Sequence, residues 1–308
     1  MGKLRRHAPV ALALILASVS SSCGVFSGLF LRTKPLFRHG KPLTGKQTLL
    51  VATRDQLSEQ IASLYNPINS FQANVNMTPS IGSVYTQIKE IPEMRALILF
   101  RKPFDIRIQA FVPLAGTQYL DMVSNAEEFR VLLNTKNLFL HGLNSAPAMS
   151  KNKVENLRPA AFLSSLLIMP AEAGVESPVL TDMTDEDNAL YELHFIRKLP
   201  NGDVSIGREI WFDRLDLSIV RQMVFDDSGT IVSDTHYARW TAYNGVLFPS
   251  HIDIQRPKEG YGVSMDITSL QMNKAFTDKQ FLLDKPDGAT LQEIGAQPKP
   301  ETTKQGTK

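Results

Sequence analysis

The sequence holds a single cysteine among 308 residues, so no intramolecular disulfide can staple the chain and no cysteine-cluster metal motif is available to it. It lacks an excess of charge of either sign. Lys and Arg number 33 against 31 Asp and Glu, a formal charge of +2. That balance excludes a charge-driven disordered tail and gives no phosphate-binding footprint, so nucleic acid is not an expected partner. Glycine and proline, 18 each, are at ordinary usage, which removes collagen-like and low-complexity classes. What remains is a chain that is 43% hydrophobic, long enough for one large domain or two small ones at about 100–200 residues each.

The first residues carry Lys3, Arg5 and Arg6, followed by the apolar run Ala8 to Val19, then Ser20, Ser21, Ser22 and Cys23. A basic start, a short apolar stretch and small residues before a break form an export signal, and the run is shorter than the roughly 20 residues a spanning helix needs. With Cys23 at its end the segment resembles a bacterial lipoprotein signal, although Ser20 stands where leucine is commonest. That resemblance implies removal of residues 1–22, acylation of Cys23, and, with Gly24 next, an outer-membrane address on the periplasmic face. The alternative is an ordinary secretory leader with an incidental cysteine. Residues 23–51 hold Arg32, Lys34, Arg38, Lys41 and Lys46 without a sustained period and read as a tether, with headgroup contact or a plain linker as its two roles.

Leu57, Ile61, Leu64 and Tyr65 recur at helical spacing behind Thr53 or Asp55 as a cap, and Asn66-Pro67 stops the helix. The period then changes to two. Candidate strands cover Phe71 to Thr78, Ile81 to Ile88, Arg95 to Lys102, Phe104 to Ala110, Gln118 to Val123, Phe129 to Leu133 and Leu138 to His141. A second helix is predicted over Arg158 to Ile168, with Pro159 in its first turn. Ala171 to Asp187, with proline, glycine and acidic residues, reads as a loop. Strands resume at 190–198, 204–213, 219–225, 231–243, 247–256 and 261–270, separated by turns such as Asn201-Gly202 and Asn244-Gly245. Short links favour antiparallel pairing. The folded domain is placed at 52–286, and 287–308 as a polar, partly disordered tail.

Two helices are too few to cover so large a sheet, so the expectation is a mainly β, α+β fold whose sheet curls on itself. The predicted form is a strongly curved antiparallel half-barrel of about 10–11 strands with helices over its open side. A filled β-sandwich core meets the same constraint. Candidate cavity-lining residues are Phe104, Ile106, Ile108, Phe162, Leu166, Tyr191, Leu193, Phe195, Ile206, Ile210 and Phe212, each with ordinary core packing as its bland alternative. One residue of phase error would exchange the faces. Arg95, Arg107, Arg208 and Arg221 lie within strands, where an inward guanidinium would suit a lipid headgroup or ester oxygen. His194, His236 and His251 are also in strands. Asp234 with His236, and His251 with Asp253, share strand faces and offer a metal or acid–base pair. No HExxH, cysteine cluster, GxSxG or phosphate loop accompanies them, so neither cofactor, metal nor catalytic residue is assigned.

The stretch Gln222 to Pro257, QMVFDDSGTIVSDTHYARWTAYNGVLFPSHIDIQRP, resembles the late hairpins of the periplasmic lipoprotein carrier and outer-membrane lipoprotein acceptor (LolA/LolB-like) superfamily. There a strand ending in an aromatic is followed by an Asn-Gly turn and a Phe-Pro start to the next strand. The helix Leu57 to Tyr65 leading into Ile68 to Ala73, and the closing segment Phe276 to Pro286, are similar to the same family. The resemblance implies a non-catalytic protein that binds lipid or lipoprotein acyl chains, anchored to the membrane through Cys23. A structural lipoprotein holding an envelope protein partner and a periplasmic hydrolase are the alternatives.

Overall fold

The side chain of Thr53 accepts from the Gln56 N–H while the Gln56 side-chain oxygen accepts from the Thr53 N–H at 2.8 Å. This reciprocal box starts helix α1 (Arg54–Tyr65), which buries Leu57 and Ile61. The computed structural model describes residues 48–82, 87–113, 115–146 and 158–295. The export signal, Cys23 and most of the tether lie outside the described residues, as does the tail from 296 onward.

The strands are β1 (Ser70–Ile81), β2 (Lys89–Glu90), β3 (Met94–Arg101), β4 (Asp105–Phe111), β5 (Gln118–Ser124), β6 (Glu128–Leu133) and β7 (Leu138–Leu143), then helix α2 (Pro159–Leu166). After α2 come β8 (Glu176–Asp182), β9 (Leu190–Lys198), β10 (Val204–Asp213), β11 (Ile219–Phe225), β12 (Ile231–Tyr243), β13 (Val246–Arg256), β14 (Tyr261–Met272) and β15 (Thr290–Ile294). The sheet runs β15-β7-β6-β5-β4-β3-β1-β14-β13-β12-β11-β10-β9-β8, with β2 added to β1. Two meanders, one from each half of the chain, are thus joined by the β1–β14 pair. Pro159 at the first turn of α2 suits a position whose N–H has no helical partner.

The expected strongly curved half-barrel of ten or eleven antiparallel strands is corrected. Among the described residues the sheet has 15 strands, it is open, ending at β15 and β8 and not strongly curved, and the β15–β7 pairing is parallel. Coverage by helices was the wrong constraint to lean on, because the inner face is filled by its own side chains. Phe71, Phe100, Phe129, Phe195 and Phe212 are fully buried in one cluster with Leu57 and Ile61 of α1 and with Phe162, Leu163 and Leu166 of α2. On the other face, Val123, Leu132 and Phe139 are covered by Leu283 and Ala289 of the segment leading to β15. Close approach of β15 depends on Gly142, where an added Cβ would lie 2.8 Å from the Ile294 carbonyl oxygen.

Of the candidate strand Ile81 to Ile88 only Ile81, the end of β1, is extended in the sheet among the described residues, and the two-residue β2 comes after it. Besides β2, two strands escaped the sequence pattern. β8 lies in the stretch read as a loop, and its Pro178 is tolerated because the strand is at the sheet edge. β15 lies in the segment read as tail.

Candidate functional site

The inner side of the sheet carries the helices, and where the end of α1, the residues closing α2 and the β12–β13 hairpin meet there is an apolar cleft. Leu64, Tyr65 and Ile68 form one wall, Leu166, Leu167 and Ile168 a second, and Trp240, Leu247, Phe248 and Pro249 the third. Its volume is about 20 Å³, room for roughly one water. Leu247 is half exposed at the rim, and the Trp240 indole N–H is held by the Ile219 carbonyl at 2.9 Å.

Of the residues singled out in the sequence, Ile106, Ile108, Phe162, Leu166, Tyr191, Leu193, Phe195, Ile210 and Phe212 are buried together in the inner cluster, and Leu166 borders the cleft. Phe104 and Ile206 lie apart from them, 43% and 38% exposed. Phe104 precedes β4 in the turn from β3. Ile206 shares its parity with Ile210 and Phe212, but a bulge between Ile206 and Arg208 shifts the β9–β10 register. Ile206 therefore pairs with Ile196 while Arg208 pairs with Phe195, and the extra residue, Gly207, exchanges the faces.

Polar groups of the inner face hold α2. The Gln222 amide N–H donates to the Ser164 carbonyl at 2.9 Å, the Tyr237 hydroxyl to the Ser165 carbonyl at 2.8 Å, and the Ser165 and Ser233 hydroxyls are 3.2 Å apart. Arg208 lies over the Phe195 ring and grips Glu176 at 2.8 Å and the Met169 and Pro170 carbonyls. At the β13–β14 turn Arg256 pairs with Glu259 at 2.7 Å, beside the Tyr261 ring, which stacks on Phe162. None of these groups was legible as a helix anchor, since nothing local to β11 or β12 announces α2.

The outer face carries a row of paired charges. Arg107 is bidentate to Asp121 and Arg221 to Asp234, with nitrogen–oxygen distances of 2.7–2.9 Å. His236 lies 3.4 Å from Asp234, and His251 bonds Asp253 at 3.0 Å and Asp266 at 2.8 Å. Hydrogen bonding to the Asp253 carboxylate, opposed by burial and aided by Asp266, raises the His251 pKa. The same-face acid–imidazole pairs are therefore formed, and their partners are carboxylates. His194 lies between Glu209 and Thr181. Arg95 is exposed. Among the described residues no clear catalytic site is assembled.

No family model and no curated protein matches the chain. Among solved structures it is similar to a LolA superfamily protein from Nitrosomonas europaea, with TM-score 0.49 and 13% identity over 76% of this chain and 99% of that one. It is similar to a DUF1329 family protein from Desulfovibrio piger to the same TM-score of 0.49 and 13% identity, over 74% of this chain and 95% of the other. Both likenesses are at low identity and cover about three quarters of this chain.

Proposed function

We propose that this protein is a non-catalytic lipoprotein of the bacterial envelope, held on the periplasmic face of the outer membrane through acylated Cys23, that binds an acyl chain of a lipid or lipoprotein at the seam between its helices and its sheet. The observation that carries the reading is the cleft, whose ten lining residues are all aliphatic, aromatic or proline and come from both helices' ends and the β12–β13 hairpin. Each methylene transferred there from water contributes about 0.8 kcal/mol, so a chain is held without covalent chemistry. The cleft in this conformation has room for about one water, so a chain is admitted only when α2 moves off the sheet. Support for that movement is that α2 has only eight residues and that polar ties to β11 and β12, which can be exchanged for water, share in holding it.

The test uses the full chain extracted in mild detergent. Native mass spectrometry should find co-purified lipid, fluorescent fatty acid should be taken up, and Ile168→Glu should abolish uptake. Cys23→Ser should stop incorporation of labelled palmitate and release the protein from the membrane fraction. Empty preparations together with no uptake would sink the lipid reading.

A second reading is favoured by the filled interior and by the edge of β8, which pairs with no further strand among the described residues and where Val179 is exposed between Val175 and Met183, also exposed. A structural lipoprotein would offer that edge to an extended segment of an envelope protein. Pro178 blunts the edge by removing one donor. Site-specific photo-crosslinking from position 179 in cells decides it, since the lipid reading leaves that position without a protein adduct.

A further inference from the structure

We propose that Glu192, His194 and Glu209 bind one divalent transition-metal cation, zinc by the chemistry of the donors, on the outer face of β9 and β10. Glu192 and His194 are two residues apart on one strand, so their side chains leave the same face. Glu209 sits directly opposite His194 on the neighbouring strand. One ligand atom from each of the three lies within 4.8 Å of the other two. His194 Nδ1 is 3.0 Å from Glu209 Oε1 and 3.9 Å from Glu192 Oε1. Those separations bracket the ~3.3 Å edge of a tetrahedron built on zinc bonds of 2.0–2.1 Å.

Two further observations point to a cation. Both carboxylates are under one-tenth exposed, and they are neighbours. Two buried carboxylates held this close call for a positive charge beside them. A divalent ion supplies that charge and keeps both oxygens as ligands. The remaining imidazole nitrogen is also placed as in a ligating histidine: Nε2 is 3.1 Å from the Thr181 hydroxyl, which would accept its N–H when Nδ1 holds the metal. Three protein ligands leave a position for water, as in sites where zinc is not fully enclosed. The site lies on the face opposite the apolar cleft and does not depend on lipid binding.

The experiment is isothermal titration of zinc chloride into the full chain after treatment with chelator, with circular dichroism confirming that each variant is folded. One zinc per chain, bound at micromolar or tighter affinity, is expected. Glu209→Gln and His194→Gln should each weaken it by about tenfold or more, while His251→Gln, on the same face, leaves it unchanged. Cobalt(II) added to the unmodified chain should show the visible bands of a four-coordinate nitrogen–oxygen site, a readout independent of any substitution. Absence of saturable zinc binding by the unmodified chain, or binding that both variants retain, would overturn the assignment.

Discussion

The Tyr237 hydroxyl donates a 2.8 Å hydrogen bond to the Ser165 carbonyl, tying the last turn of α2 to the middle of β12. Tyr261, equally buried and stacked on Phe162 of the same helix, makes no such bond through its hydroxyl. Burial pushes the Tyr261 phenol up to about 12 and raises that of Tyr237 further, so both remain neutral donors at every working pH. Tyr237→Phe strands a buried carbonyl and should cost about 1–3 kcal/mol, whereas Tyr261→Phe removes an unmet group and should be neutral or stabilising. Urea denaturation of the two variants side by side checks the contrast, and equal losses would contradict it.

If α2 must leave the sheet to admit a chain, fastening it should block uptake. The Ser165 and Ser233 hydroxyls are 3.2 Å apart, close enough for Ser165→Cys with Ser233→Cys to form a bridge in a Cys23→Ser background. Oxidised protein should take up no fluorescent fatty acid and reduced protein should take it up as the parent does. Uptake that ignores the redox state would place the binding elsewhere.

His141 joins three strands, with Nε2 3.0 Å from Glu128 and Nδ1 2.9 Å from Glu293 of β15. The Glu128 hydrogen bond raises its pKa, burial opposes this, and Glu293 adds to the rise. A histidine whose folded pKa is raised contributes stability that is full below its unfolded value, near 6.5, and is lost as pH climbs through the folded one. β15 should therefore exchange its amide hydrogens faster relative to the rest of the sheet at pH 8.5 than at pH 6, after correction for intrinsic rates. His141→Gln should remove that difference.

Arg221 and Asp234 form a buried bidentate pair, their side chains 10% and 8% exposed. Burial by itself would raise the Asp234 carboxyl, and the hydrogen bonds from Arg221 and His236 hold it below its usual range. Arg221→Met leaves a buried carboxylate without its main partner and should cost about 3–5 kcal/mol at neutral pH. Changing Asp234→Leu as well should recover most of that loss, measured by the same denaturation midpoints.

Local pattern carried most of the secondary structure. The strands 190–198, 204–213, 219–225 and 231–243 have the boundaries read from alternation and turn residues, and of the two caps read for α1, Thr53 and Asp55, it is Thr53 that serves. β8 and β15 were missed because they are edge strands whose formation rests on main-chain pairing to β9 and β7, which asks little of their side chains. Ile206 was put on the wrong face because a bulge at Gly207 leaves no mark in an alternating pattern. The Glu192-x-His194 spacing was visible, but its third member stands 15 residues on, and only the β9–β10 register brings Glu209 opposite.

The amino-acid order alone determined that, over the described residues, this chain is rich in strands joined by short turns and has two α-helices. Those are properties of periods and turns a few residues long. Tertiary structure decided that the sheet stays open, that phenylalanines fill its inner face, and that a small cleft survives beneath α2. The reason is that strand order, register and the volume left between packed side chains depend on contacts between residues far apart in the chain, which no local period specifies.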